Sequence, residues 1–207
     1  MFITFEGPEG SGKSANAAWL RGQLEARGRR VVLVREPGGT PLGEAIRPLL
    51  LGGAEPPAGY PALFLFAAAR AELVARTIRP ALAGGADVLC DRFTDSTLAY
   101  QGHGDGLPLD IIRQVNAIAT GGLVPDLTIL LDLDVALGLR RKQGQEWNAF
   151  DARDLAFHGA VRAGFLALAA EDPGRWLVVD AAQPLPAVRA AIDSRLALLS
   201  LSNRASG

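Results

Sequence analysis

Five short apolar runs recur along the chain without polar alternation, and segments of helical periodicity separate them. The runs are Phe2–Glu6, Val31–Arg35, Asp87–Asp91, Leu127–Asp132 and Trp176–Asp180. Strands of a parallel sheet are buried on both faces and therefore read as continuous apolar stretches. The pattern predicts a doubly wound α/β fold with a five-stranded parallel sheet flanked by helices. Its ligand crevice should lie at the carboxyl ends of the strands.

Helices are predicted where apolar residues follow a period near 3.6. These segments are Ser14–Ala26, Leu42–Leu51, Pro61–Ala83, Leu109–Ala119, Val135–Arg141, Ala152–Ala169 and Leu185–Leu199. No linker or internal repeat divides the chain, so we predict one domain over residues 1–207. The small polar tail at about 202–207 is expected to fray.

Composition narrows the function classes. The 207 residues are 49% hydrophobic and 21% charged, with a formal net charge of −1. The chain has no overall positive charge that would favour binding to nucleic acid or to a membrane surface. The single cysteine, Cys90, excludes an internal disulfide and reads as a small buried residue. No signal peptide or transmembrane run is evident, so we expect a cytoplasmic protein.

A phosphate-binding loop follows the first predicted strand. The segment Gly7-Pro8-Glu9-Gly10-Ser11-Gly12-Lys13-Ser14 fits the motif G-x-x-x-x-G-K-[ST]. Glycines let the backbone curl so that its N–H groups, that of Ser11 included, surround the phosphates of ATP. Lys13 would reach the outer phosphates, and the Ser14 hydroxyl would ligate Mg²⁺. Lysine is scarce here, since Lys142 is the only other one, which makes a chance match a poor explanation.

Charged residues also follow the second and third predicted strands. Arg35 and Glu36 end one run, and Asp91 and Arg92 end the other. A strand-end carboxylate beside a phosphate loop commonly serves Mg²⁺, and a neighbouring arginine can clamp a phosphate. The alternative is that Arg35 and Arg92 form surface ion pairs with Glu36 and Asp91. Two arginines at adjacent strand ends, facing one phosphate loop, favour phosphate binding.

Taken together, these motifs resemble the bacterial thymidylate kinase family nearly from end to end. Besides the phosphate loop, the matching segments are Arg35–Thr40, Phe66–Arg70, Asp91–Gly102 and Pro125–Leu133. The resemblance implies the P-loop nucleoside monophosphate kinase fold. It also implies ATP-dependent phosphorylation of dTMP to dTDP by direct in-line transfer, with Mg²⁺, in a homodimer that binds neither nucleic acid nor membrane.

The resemblance assigns roles around the phosphate and sugar of the acceptor dTMP. Glu9 would accept a hydrogen bond from the deoxyribose 3′-hydroxyl, although it could equally be a solvated loop residue. Arg35 and Arg92 would hold the acceptor phosphate, and Asp91 would act on Mg²⁺ through water. Tyr100 would crowd the C2′ position, so that a ribose fits badly.

A second group of residues would read the thymine base. Phe66 would stack on the ring, and Arg70 would bond its 4-carbonyl. These two residues are four positions apart and so share a helix face. Without the resemblance, Phe66 reads as a core residue among its apolar neighbours. Thr97 and Gln101 would lie near the edge of the base.

The segment 140–154 corresponds to the flexible lid of the family. The phosphate loop carries no arginine, so the lid must supply a cation for the transferring phosphoryl group. Asn148-Ala149 stands where Asp-Arg is typical, which leaves Arg141, Lys142 or Arg153. We expect Arg141 to be catalytic and to contact ATP, with Ala182 beside the adenine.

Three other functions remain open at this point. Another nucleoside monophosphate or deoxynucleoside kinase would use the same fold, but the paired Arg35 and Arg92 favour a monophosphate acceptor. A GTP-hydrolysing switch would need an N-K-x-D motif, which the sequence lacks. The third alternative is a weakly active nucleotide-binding relative, because the lid segment carries few cations.

Overall fold

The computed structural model describes residues 1–52, 57, 59–143, 148 and 150–205. A single parallel sheet has the strand order β2-β3-β1-β4-β5. All five predicted strands are confirmed with their predicted bounds, which are β1 (Phe2–Glu6), β2 (Val31–Arg35), β3 (Asp87–Asp91), β4 (Leu127–Asp132) and β5 (Trp176–Asp180). The ligand crevice predicted from this topology lies where β1 and β3 end.

Helices cover both faces of the sheet, because successive residues of each strand point to opposite sides. Ile3 and Phe5 of β1 pack into a cluster with Leu20 and Ile192 from the helices on one face. Phe2 points the other way and packs with a second cluster, where its ring meets that of Phe93 at a centroid distance of 5.0 Å. The central strand is therefore fully buried, as its continuous apolar run predicts.

The helices follow the predicted pattern with small shifts at their ends. They are α1 (Lys13–Ala26), α2 (Pro41–Leu51), α3 (Tyr60–Leu73), α4 (Arg79–Ala83), α5 (Thr94–Thr97), α6 (Leu109–Thr120), α7 (Val135–Lys142), α8 (Leu155–Glu171) and α9 (Leu185–Ala205). None of these helices has the length and apolar character needed to cross a membrane.

Two helix ends differ from the prediction for identifiable reasons. Helix α8 begins at Leu155, not Ala152, because the Asp154 carboxylate caps it by accepting a hydrogen bond from the Phe157 amide at 2.8 Å. Helix α9 continues to Ala205, into the tail predicted to fray. No glycine or proline stands between Leu199 and that residue to end the helix.

One helical region is absent from the prediction. Helix α5 runs directly into a π-helical segment, Leu98–Gly104, and a second π-helical segment, Val74–Ile78, joins α3 to α4. The polar start of α5, Thr94 to Thr97, hides the helix from a periodicity search. Rare π-helical turns often mark functional sites, and the segment Leu98–Gly104 carries Tyr100 and Gln101.

Candidate active site

A cleft of about 660 Å³ opens at the carboxyl ends of β1 and β3. Most of the predicted site residues line it, namely Glu9, Gly10, Gly12, Lys13, Ser14, Arg35, Phe66, Arg70, Asp91, Arg92, Thr97, Tyr100, Gln101 and Arg141. Gly7, Ser11 and Ala182 are not among its lining residues. Gly7 and Ser11 instead contact the Lys13 side chain from within the phosphate loop.

Lys13 is folded back onto its own loop. Its ammonium donates to the carbonyl oxygens of Gly7 at 3.0 Å and Pro8 at 2.8 Å. Burial, and then the nearby charge of Arg92, lower the pKa of Lys13 to about 8. A cation held in this way is poised for an anionic ligand, because added negative charge would restore its ordinary pKa.

Ser14 and Asp91 meet where helix α1 begins. The Ser14 hydroxyl donates a short hydrogen bond to the Asp91 carboxylate. No group of three His, Cys, Asp or Glu side chains able to hold a metal occurs among the described residues. Mg²⁺ nevertheless suits the pair, because it binds hard oxygens and commonly takes only one or two protein ligands beside water and phosphate.

Arg92 joins several groups of the cleft. Its guanidinium donates to the Glu9 carboxylate at 2.7 Å and to the Tyr100 hydroxyl at 3.1 Å. Burial acts to raise the pKa of Glu9, but the charges of Arg92, Lys13 and Lys142 outweigh it and hold that pKa well below its usual range. Glu9 is therefore a partly buried carboxylate paired with Arg92, not a solvated loop residue.

The ion pairs that the alternative interpretation needed are not formed in the described structure. Arg35 pairs with Glu44 at 3.3 Å and is about half exposed. Arg92 pairs with Glu9. Glu36 turns away from Arg35 and is buried against Arg70. Both strand-end arginines thus line the cleft without pairing with their neighbours in sequence.

Arg70 is the most constrained cation of the site, with 1% of its surface exposed. Its Nε and Nη2 groups donate to Glu36, at 2.6 Å for the shortest contact, and Nη2 also donates to the Thr97 hydroxyl and the Phe93 carbonyl, both at 3.0 Å. Nη1 donates to Asn116 at 2.7 Å. Within the described part of the chain this is the one contact of Nη1, so a second hydrogen remains for the cleft.

Aromatic side chains line the cleft beside Arg70. Phe66 is half-buried, and its ring lies 6.1 Å from that of Phe150. It is thus part of the cleft wall and not only of the core. Gln101 is buried, and its amide nitrogen has no partner among the described residues. A buried amide of this kind is costly unless a ligand satisfies it.

Comparison with known proteins fits this geometry. The thymidylate kinase family model matches residues 5–192. The chain belongs to the thymidylate kinase family. It is 52% identical to the thymidylate kinase of Desulfovibrio desulfuricans over 196 residues, or 89% of each chain. It is also 52% identical to that of Gloeobacter violaceus over 200 residues, 93% of this chain and 94% of the relative.

A solved member of the family has the same fold. The crystal structure of thymidylate kinase from Ehrlichia chaffeensis superposes with a TM-score of 0.72 at 38% sequence identity. The match covers 86% of this chain and 91% of that one. The predicted fold, a P-loop nucleoside monophosphate kinase fold, is confirmed.

The cations of the segment predicted to form the lid have different partners. Arg141 donates to the carbonyl of Ala181 at 2.9 Å, in the turn after β5 that includes Ala182. Lys142 lies 2.5 Å from the Asp151 carboxylate and 3.7 Å from that of Glu9. Arg153 instead pairs with Asp105 at 3.1 Å. Ala149, which stands where arginine is typical, lies outside the described residues, whereas the backbone of Asn148 donates to Asp151 at 2.7 Å.

Sequence reasoning missed four side chains of the site. Glu36 and Asn116 hold Arg70, and Arg47 lines the cleft and donates to the Pro37 carbonyl at 2.7 Å. Glu6 is completely buried behind the cleft. The argument used for Asp91, a carboxylate at the end of a strand beside the phosphate loop, would also have selected Glu6.

Proposed function

We propose that this enzyme transfers the γ-phosphoryl group of ATP to dTMP and forms dTDP by direct in-line displacement. The observation that carries the proposal is the meeting of two cationic centres in one cleft, Lys13 in the phosphate loop and Arg92 opposite it. Phosphoryl transfer depends on holding two phosphates in line and stabilising the charge between them. A hydrolase or a nucleotide-binding module would not need the second centre.

On the donor side, the phosphate loop and Lys13 hold the ATP phosphates. Ser14 and Asp91 would hold Mg²⁺, which would neutralise charge on the phosphoryl group when bound. Ala182 would lie beside the adenine, and Arg141, which in this structure donates to the carbonyl of the preceding residue, would turn to the phosphates. We therefore assign Lys13, Asp91, Arg92 and Arg141 to catalysis.

On the acceptor side, Arg92 and Arg35 bind the dTMP phosphate. The Glu9 carboxylate is held at the same place by Arg92 and the Tyr100 hydroxyl, and it would accept a hydrogen bond from the 3′-hydroxyl. The Tyr100 ring closes this part of the cleft, so a 2′-hydroxyl would meet an aromatic wall.

Base selection follows from the donors that remain available. Phe66 offers an aromatic face for stacking. The remaining Nη1 hydrogen of Arg70 suits the 4-carbonyl of thymine but would oppose the 4-amino group of cytosine, which is itself a donor. A site built to donate rejects a ligand that cannot accept, because a buried polar group is left unpaired. Thr97 fixes Arg70, and the unpartnered Gln101 amide would bind the edge of the base.

The lid cation has a second candidate. Arg141 is our assignment for the transferring phosphoryl group, but in this structure Lys142 lies closer to the phosphate loop, 3.7 Å from Glu9. Arg141→Ala should lower kcat at least ~10²-fold if that assignment holds. If Lys142→Ala lowers kcat more than Arg141→Ala does, the role belongs to Lys142. Arg140→Ala serves as the control, because Arg140 is exposed.

We also propose a homodimer. Large apolar side chains are exposed on the neighbouring helices α2, α3 and α6, namely Leu49, Tyr60, Phe64 and Ile118. The rings of Tyr60 and Phe64 stack at 6.1 Å on this surface. Exposed large apolar side chains on neighbouring helices support a protein interface here. Phe64→Asp should shift the enzyme from dimer to monomer in light scattering.

The cytoplasmic location stays a prediction of the sequence.

A coupled ADP-release assay with purified protein, ATP and Mg²⁺ tests the function. The acceptors are dTMP, dCMP, dGMP, the ribonucleotide analogue of dTMP, and thymidine. We expect dTMP to be preferred and thymidine to be inert. Faster turnover of dCMP or dGMP would refute the base assignment, thymidine phosphorylation would favour a deoxynucleoside kinase, and no turnover of any acceptor would favour the weakly active relative.

A further inference from the structure

Glu6 is a fully buried carboxylate that the proposed transfer does not use. It stands at the carboxyl end of β1, with none of its surface exposed. Its Oε1 accepts hydrogen bonds from the backbone amides of Phe93 at 2.8 Å and Ser96 at 3.3 Å. Its Oε2 accepts a hydrogen bond from the Ser96 hydroxyl at 2.5 Å. One side chain of β1 therefore holds the turn between β3 and α5.

The contact continues from Ser96 to the acceptor side of the cleft. The Ser96 hydroxyl oxygen accepts a hydrogen bond from Nη1 of Arg92 at 3.1 Å. A hydroxyl has one hydrogen and two lone pairs. Whichever of the two groups supplies the hydrogen between Ser96 and Glu6, the hydroxyl oxygen keeps a lone pair for the guanidinium. Glu6 thereby sets the orientation in which Ser96 receives Arg92.

The backbone of Arg92 needs support as well, because it is left-handed at φ 69°, a rare conformation for a residue with a Cβ. Its amide donates to the Phe5 carbonyl at 3.0 Å, and its own carbonyl accepts from the Cys90 thiol at 3.0 Å. Glu6 holds the next amide, that of Phe93. Such a conformation persists only where the surroundings over-determine it.

We propose that Glu6 is a positioning residue for acceptor binding, which orients Arg92 toward the phosphate of the monophosphate substrate through Ser96 and the Phe93 amide. The inference rests on the proposed function, since it takes Arg92 as the phosphate ligand. Glu6 does not line the cleft, so it acts on the substrate through its neighbours and not by direct contact. A carboxylate with this role affects dTMP binding and leaves ATP binding nearly unchanged.

The test measures dTMP affinity by calorimetry without ATP, and separately the KM for ATP, in Glu6→Ala and Ser96→Ala. We expect each variant to weaken dTMP binding at least ~10-fold and to change the KM for ATP less than ~2-fold. Ser96→Ala removes only a hydroxyl and remains informative if Glu6→Ala does not fold. Folded variants with wild-type dTMP affinity would overturn the proposal.

A double-mutant cycle separates positioning from general damage. Arg92→Lys removes the guanidinium that donates a hydrogen bond to Ser96. In that background, Glu6→Ala should therefore cost much less dTMP affinity than in the wild type. An equal loss in both backgrounds would overturn the proposal.

Asp87→Asn supplies a matched control. Asp87 is another buried carboxylate on the same sheet, at the far end of β3, where it pairs with Arg29 and the N-terminus. We expect this variant to lower thermal stability without changing dTMP affinity. A dTMP loss as large as that of Glu6→Ala would mean that both act by destabilisation, against the proposal. If the wild-type protein itself does not bind dTMP, the proposed function fails instead.

Discussion

The substitution Gly138→Ala tests how closely the lid helix α7 must pack on the phosphate loop. A Cβ at Gly138 would lie 2.2 Å from the Glu9 carbonyl oxygen, and a Cβ at Gly10 would lie 2.1 Å from the Gly138 carbonyl oxygen. Glycine is thus present on both sides of the contact, where two backbones touch. Gly138 is a helical residue outside the left-handed region, so alanine would fit the local conformation and would favour the helix by about 1 kcal/mol.

The size of the effect follows from the displacement. Ordinary contact between a carbon and an oxygen requires about 3.4 Å, so the backbones must separate by about 1 Å. Helix α7 is anchored near its start, because Leu133 just before it is buried in the core cluster and Leu137 packs against that cluster. We therefore expect the loop at Glu9 to move. A misplacement of about 1 Å at reacting groups costs ~10²-fold in rate.

The assay compares kcat/KM for ATP and dTMP in Gly138→Ala with those of Gly159→Ala. Gly159 lies in helix α8, and a Cβ there meets nothing within 4 Å. Both variants make the same chemical change in a helix, so Gly159→Ala should keep full activity and gain up to ~1 kcal/mol of stability. Wild-type kcat/KM in folded Gly138→Ala would refute the argument, because it would show that the two backbones separate without cost.

Three further predictions address single side chains. Lys13→Met should abolish transfer while the protein stays folded, as turnover and circular dichroism would show, because its ammonium contacts only the loop and the proposed phosphates. Arg70→Ala should raise the KM for dTMP and cost about 3–5 kcal/mol in urea unfolding, because Glu36 is left buried without its partner, whereas exposed Arg113→Ala should cost at most about 1 kcal/mol. Burial, and then the charge of Asp95, raise the pKa of Glu6 from 4.5 to about 8. The folded state therefore holds its proton more tightly, and stability should fall as pH rises from 4.5 through 8; a pH-stability curve equally steep in Glu6→Gln would contradict this origin.

The strands could be predicted residue by residue because each is a short run rich in apolar and β-branched residues that ends at a charged side chain. Burial on both faces produces that pattern in the three inner strands, β1, β3 and β4. The phosphate loop could also be predicted, since its chemistry depends on backbone amides and on consecutive residues. Helix α5 could not, because its stabilising contact, the Glu6 carboxylate on the Phe93 and Ser96 amides, comes from a strand about ninety positions earlier in the chain.

The sequence also could not predict which charged side chains pair with each other. Glu36 follows Arg35 in the chain, and an ion pair between them is the simplest expectation. Adjacent residues of a strand point to opposite faces, however, and Glu36 is directed to Arg70 from α3 while Arg35 remains in the cleft. Nothing in a single sequence states which distant cation shares a buried position with a given carboxylate.

The pairings also explain how several cations can lie in one cleft without a bound ligand. Unpaired buried cations would be costly, so each has an internal acceptor: loop carbonyls for Lys13, Glu9 for Arg92, Asp151 for Lys142. These acceptors hold the cations in the cleft until a ligand replaces them, and Lys13 would exchange the loop carbonyls for phosphate oxygens. Glu9 is the critical case, because it contacts Arg92 directly and approaches Lys142. A change at Glu9 should therefore disturb acceptor and lid together, which a residue that contacted only the sugar would not do.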